Sequence, residues 1–150
     1  MENISDGKKT NEINPTFIDQ NILIVWKPEY SLGIPIIDEQ HRGIVTIINS
    51  FYYGMQNKLE YSESMLISII DMMHSYSGIH FKTEEKFLEK FNFPYIAQHR
   101  ELHYELTNTL PKVSKKSLLN NDPSQFMEFL KKWWIDHICN EDRKFRDYLF

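Results

Sequence analysis

The sequence predicts an all-α protein: an up-down-up-down four-helix bundle behind an N-terminal arm, with a metal site in the bundle core. Three observations predict it. Apolar residues recur at steps of three and four in four segments, the pattern of one-sided helices. Short turn signals separate those segments, as in antiparallel bundles. Five of the six histidines, with two acidic residues, stand in the same segments, largely at helical spacings.

The bulk properties agree. A chain of 150 residues is one domain with room for a real core. Its apolar fraction of 41% and aromatic fraction of 14% are those of a globular protein. A net charge of -4 carries no basic footprint, so nucleic acid is not an expected partner. The lysines near 112–116 and 131–132 read as solvated helix ends. Cys139 is the one cysteine, which leaves no intramolecular disulfide framework and fits a reducing compartment. Residues 1–20 are polar, lack the apolar core of a signal peptide, and are expected to form a mobile tail; residues 21–150 are expected to form the bundle. No stretch has the apolar length of a membrane span, so no membrane partner and a cytoplasmic location are expected.

The arm comes first. Pro28, Gly33 and Pro35 interrupt any regular element, while Trp26, Tyr30 and Ile34 call for burial. The run Ile22 to Val25 has strand composition but no partner strand. Helix one is expected to begin at an N-cap Asp38, with Gln40 and His41 in its first turn. Ile44, Val45, Ile48, Phe51, Tyr52 and Met55 continue its apolar stripe up to a turn at Lys58 to Tyr61. Helix two spans about Ser62 to Phe91. Its seam reads Leu66, Ile70, Met73, Ser77, His80, Glu84, Phe87, Phe91. His80 and Glu84 therefore occupy a buried stripe, where bare polar groups cost a few kcal/mol each and need partners. Asn92 to Pro94 is a break, with Pro94 placed to open helix three. That helix carries Ile96, His99, His103, Leu106 and Leu110 inward, and Pro111 is expected to end or kink it. A polar loop from Ser114 to Pro123 leads to helix four, with Phe126, Leu130, Trp133, His137, Phe145 and Tyr148 or Leu149 facing inward. Phe51, Phe87, Phe91, Phe126 and Phe145 are expected in the core.

Residues four apart share a helix face, so His80 with Glu84, and His99 with His103, each point at one place. His41 and His137 bring the other two helices there. Imidazole suits zinc, copper, nickel and iron. Five imidazoles and two carboxylates exceed the needs of one tetrahedral ion. They match two six-coordinate irons that share bridges and leave one position open. The second carboxylate is ambiguous. Glu141, four after His137, shares its face on an ideal helix, whereas Asp142 is rotated by about 140°. Asp142 reaches the site if the helix widens into a π turn. The chain has no Glu-x-x-His, the signature of carboxylate-rich di-iron oxidases. Neutral imidazoles fit dioxygen binding and release better than substrate oxidation. His74 lacks an acidic or histidine partner four residues away and reads as a non-ligand. Glu85 is expected to face away from the irons and accept a bond from a ligand imidazole. Cys139 reads as a buried, inert thiol.

These motifs resemble the hemerythrins, specifically the bacterial single-domain kind, over roughly residues 26–149. The resemblance runs through Trp26, Leu32-Gly33-Ile34, Asp38-x-Gln40-His41 and Tyr76-x-x-x-His80-Phe81-x-x-Glu84-Glu85. It continues through His99-x-x-x-His103 and Trp133-x-x-x-His137-Ile138-x-x-x-Asp142. It implies two iron ions, one held by His99, His103 and His137, the other by His41 and His80 with a vacant sixth position. Glu84 and Asp142 would bridge them together with an oxo or hydroxo group, so the resemblance selects Asp142 over Glu141. The implied function is reversible dioxygen binding at a non-haem di-iron centre, for carriage, storage or sensing. A di-iron redox enzyme acting on peroxide or nitric oxide is the alternative, and iron buffering a third. Ile44, Phe81, Trp134 and Ile138 would line the oxygen pocket. Trp134 stands where the family usually has leucine and is expected to gate it.

Overall fold

Three-four apolar spacing is realised as helix in all four segments of the computed structural model, which describes residues 22–57 and 62–149. After a short 3-10 turn at Pro28–Tyr30 come α1 (Pro35–Gln56), α2 (Glu63–Lys90) and α3 (Ile96–Leu119). A fourth rod runs through α4 (Pro123–Lys132), a π segment (Trp133–Glu141) and α5 (Asp142–Leu149). α1 packs on α2, α2 on α3, α3 on α4, and α4 back on α1, which closes a four-helix bundle. There is no strand among the described residues, and no helix there is long and apolar enough to cross a membrane. The 1–20 tail and the Lys58–Tyr61 turn lie outside the described residues.

Local signals set most helix ends. Ser62 caps α2 by accepting the Met65 N–H at 3.1 Å. Asp122 caps α4 by accepting the Ser124 N–H at 3.0 Å, with Pro123 at the tolerated first position. Asn92 (φ 52°) and Asn121 (φ 47°) take the left-handed conformation just past α2 and α3, where a short polar side chain tolerates it.

Three boundaries differ from the sequence reading. α1 begins at Pro35, not at an N-cap Asp38: the Asp38 N–H already donates to the Ile34 carbonyl at 2.9 Å. Its carboxylate turns back to the arm instead, accepting the Leu32 N–H at 2.7 Å and the Ser31 hydroxyl at 2.6 Å. α3 continues through Pro111 to Leu119 and shrinks the loop to 120–122. Pro111 has no N–H to give the Thr107 carbonyl. Leu110, Ser114 and Ser117 remain buried on one side of it, and that packing carries the helix past the break. Pro94 sits in a turn, and α3 opens at Ile96.

The arm is held by polar bonds as well as burial. Asn49 accepts the Ile24 N–H at 2.9 Å and donates to its carbonyl at 2.8 Å, so side-chain bonds replace a partner strand. Ile34 is buried, and Trp26 and Tyr30 are half-buried against Trp134. Of the aromatics expected in the core, Phe51, Phe126 and Phe145 are fully buried. Phe87 is only half-buried and Phe91 is 45% exposed, because the seam runs out at the end of α2 and buried Phe93 takes its place.

Two apolar clusters result. One contains Ile44, Phe51, Phe81, Phe126 and Ile138; the other contains Ile37, Leu88, Phe93 and Phe145. Each fully buried side chain of this kind contributes roughly 1.5–3 kcal/mol. Between the clusters lies a polar layer. His41 falls between Ile37 and Ile44, Glu84 between Phe81 and Leu88, and Asp142 between Ile138 and Phe145. Apolar layers lie above and below it.

Candidate metal centre

Four helical rods supply the polar layer: His41 from α1, His80 and Glu84 from α2, His99 and His103 from α3, His137 from the π segment and Asp142 from the start of α5. All seven are at least 96% buried. The fourth rod shows how its two residues meet. The Asp142 N–H donates to the His137 carbonyl five residues back, the bond that defines a π turn. A wider turn places residues five apart above one another, so Asp142 takes the inward place that Glu141 would hold on an ideal α-helix. Asp142 Oδ1 lies 3.2 Å from His137 Nε2, while Glu141 turns outward to Lys144 at 3.0 Å.

The seven residues form two overlapping groups, within each of which the ligating atoms lie inside 4.8 Å of one another. One is Glu84, His99, His103, His137 and Asp142; the other is His41, His80, Glu84 and Asp142. The carboxylates divide their oxygens between the groups. Glu84 Oε1 lies 3.1 Å from His103 Nε2 and also contacts His99 Nε2, whereas Oε2 lies 3.3 Å from His80 Nε2 and 3.8 Å from His41 Nε2. Asp142 Oδ1 is 3.1 Å from His99 and 3.2 Å from His137, whereas Oδ2 is 3.1 Å from His41.

Hydrogen bonds behind the rings orient two of them. Thr83 donates its hydroxyl to the Ile79 carbonyl at 2.9 Å, so its oxygen accepts the Gln40 amide N–H at 3.1 Å. The Gln40 carbonyl oxygen is then left to accept from His80 Nδ1 at 2.8 Å. Glu85 accepts from His103 Nδ1 at 3.0 Å. With the proton on Nδ1, both rings aim an Nε2 lone pair at the centre, the arrangement of metal-bound imidazoles. Phe81 stacks on His103 at 4.1 Å and 15° and holds the ring from the side. Gln40 and Thr83 were not legible as ring partners in the sequence. A glutamine next to a site histidine on the face toward helix two is the one signal available.

The electrostatics ask for positive charge. Burial pushes the Glu84 carboxyl up, yet the imidazoles of His103, His80 and His99 around it hold it well below the usual range. Burial and the Glu84 charge push Asp142 up, and His137, His41 and His99 bring it below its ordinary value. Burial disfavours the charged His99, but Asp142 and Glu84 raise it to about 10. His80 is likewise raised against its burial, chiefly by Glu84, and His137 is lowered by burial. His41 Nε2, His80 Nε2, Glu84 Oε2 and both Asp142 oxygens have no hydrogen-bond partner among the described residues. Leaving such buried atoms unmatched costs about 1–3 kcal/mol each. His80 Nε2 and Glu84 Oε2 both present lone pairs 3.3 Å apart, which a cation between them satisfies. Nitrogen and carboxylate donors of this kind suit iron.

The other residues of interest fall around this layer. Ile44, Phe81, Trp134 and Ile138 are all buried in the larger apolar cluster. Phe81 reaches the histidines, while the Trp134 ring meets Tyr30 at 5.2 Å and Trp26 at 6.2 Å. His74 is exposed on α2. Cys139 is half-buried beside Tyr30, Leu32 and Ile138 around a cavity of about 50 Å³, and burial pushes its thiol up.

Comparison with known proteins bears on the same span. A family model described as the hemerythrin HHE cation binding domain matches residues 32–149. The chain is 25% identical over 126 residues to a bacteriohemerythrin of Stenotrophomonas maltophilia, covering 83% of this chain and 80% of the relative. It is 26% identical over 129 residues to a bacteriohemerythrin of Clostridium acetobutylicum, covering 83% of this chain and all of the relative. A hemerythrin-like protein of Naegleria gruberi is 26% identical over 124 residues, covering 83% of this chain and 92% of that protein.

Proposed function

Because the chain belongs to the hemerythrin HHE cation-binding family, we propose that it holds two irons without haem and binds dioxygen reversibly. The observation that carries this reading is the division of the Glu84 and Asp142 oxygens between a three-histidine and a two-histidine group. Two carboxylates placed this way would serve both cations of a pair. His99, His103 and His137 would hold one iron, and His41 and His80 would hold the other. The second group offers one imidazole fewer, and an iron held there would have room for an exogenous ligand. When bound, the pair supplies the two electrons for reversible dioxygen reduction.

The chain's own residues prepare the place. Gln40 and Glu85 keep the His80 and His103 protons on Nδ1, so that Nε2 is free to ligate. Phe81, Ile44 and Ile138 belong to the apolar cluster on one side of the layer, with Trp134 in the same cluster against the arm, and would keep that side of a bound ligand dry. Among the seven residues there are only two carboxylates, a donor set that favours ligand exchange over strong oxidation.

The test is the optical spectrum of the anaerobically reduced, iron-loaded protein before and after air. A visible charge-transfer band that disappears under argon is the expected result. Direct conversion to the ferric spectrum, with turnover of added peroxide or nitric oxide, would assign the chain to redox catalysis instead. Iron below two per chain after full loading would overturn the ligand set.

A further inference from the structure

Two cavities open between α3 and the fourth rod, and each ends on a histidine of the three-histidine group. One, of about 350 Å³, is lined by His137 together with Glu105, Asp136 and Glu141. The other, of about 370 Å³, is lined by His99. They share two residues, half-buried Leu102 and Glu141, which stand between them. His41 and His80 are 0% exposed and line neither cavity. The two halves of the metal layer are therefore unequal: the three-histidine half backs onto open clefts, and the two-histidine half lies behind it.

We propose that this cleft is the port through which divalent cations reach and leave the centre, with Glu141 as a transient ligand and Leu102 as its apolar gate. The inference rests on the di-iron reading of the seven buried residues. Glu141 is suited to the role by the π turn. It sits four residues after His137 but faces outward, with its side chain 31% exposed. Its Lys144 partner is 66% exposed, and a surface pair of that kind is weak, so it yields readily to a cation. An oxygen donor at the mouth lets the ion shed water stepwise before the buried imidazoles take over. Exposed Lys132 and Lys144 also line the clefts, but Glu105, Asp136 and Glu141 outnumber them. Carboxylates around a low-dielectric opening raise the local cation concentration and the rate of capture. An ion destined for His41 and His80 passes the first half, so the three-histidine half fills and empties first.

The experiment follows ferrous ion uptake by the metal-free full chain in an anaerobic stopped-flow instrument, and extraction by a coloured ferrous chelator. Glu141→Gln should slow uptake by about threefold or more with the final content unchanged. Glu128→Gln, an exposed carboxylate lost elsewhere on the fourth rod, should leave the rate as it is. Leu102→Ala should speed extraction and Leu102→Trp should slow it. Two ions per chain in every variant, with all these rates equal to wild type, would overturn the port while leaving the di-iron reading intact. Fewer than two ions in the wild-type protein itself would overturn both.

Discussion

Asp142 stands one π turn after His137, and its two oxygens reach His137 and His99 on one side and His41 on the other. One carboxylate thus touches imidazoles from three of the four rods. Asp142→Asn keeps the shape and removes the bridging charge. It should cut bound iron from two per chain to one or fewer after gel filtration, as should His80→Ala. His74→Ala, on the exposed face of α2, should keep both ions and shift stability by no more than about 0.5 kcal/mol. Loss of iron from the His74 variant with retention in the Asp142 variant would reverse the assignment.

The Gln40–His80 bond fixes which ring nitrogen faces the metal. Gln40→Ala should weaken cation binding at the two-histidine half by about 10–100-fold, the usual effect of losing a partner behind a ligand imidazole. Gln40→Glu retains an acceptor and should recover much of the loss. Competition against a chelator of known affinity measures both, and equal affinities for all three proteins would rule out this role.

Trp134 meets the arm through Tyr30 and Trp26 and is buried in the larger apolar cluster. Trp134→Leu should cost about 1–3 kcal/mol in a denaturant titration, from lost aromatic packing. It should also change dioxygen on- and off-rates and speed autoxidation. Tyr30→Ala should reproduce part of the kinetic change by loosening the same ring. Unaltered rates in both variants would leave Trp134 with a packing role alone.

Protons stand in for cations when the metal is absent, and the sign follows from the shifts. His99 is raised from 6.5 to about 10, so its contribution to stability is complete below pH 6.5 and is lost as pH rises through about 10. Glu84 and Asp142 are lowered from 4.5 and 3.8, so their contributions are present above those values and fade on acidification. Metal-free protein should lose thermal stability towards both extremes. Below about pH 10 iron must displace the His99 proton, so affinity should rise with pH, and binding at neutral pH should release protons. Titration calorimetry in buffers of different ionisation enthalpy counts them, and no release would contradict a protonated His99.

Much of this architecture is written in short-range pattern. The 3.6-residue period depends only on backbone geometry, so four amphipathic helices, and the histidines on their buried stripes, are visible before any tertiary contact is known. Glu85, one residue on from Glu84, is placed by the same period to serve a ligand imidazole, while the choice of His103 is a tertiary contact. What the pattern leaves open is where two local signals compete, and there the choice belongs to contacts between distant segments. Proline at 111 is a local stop overridden by burial of Leu110, Ser114 and Ser117. Asp38 is a local cap diverted to Leu32 and Ser31. Phe91 lies on the apolar seam, but the bundle ends before it. The choice between Glu141 and Asp142 is the sharpest case. Helix periodicity places Glu141 inward, and only a π turn, packed against α3 and facing four helices' worth of imidazoles, turns Asp142 in and leaves Glu141 at the surface. The free energy that selects that turn comes from partners far away in the chain, and the tertiary structure alone brings them together.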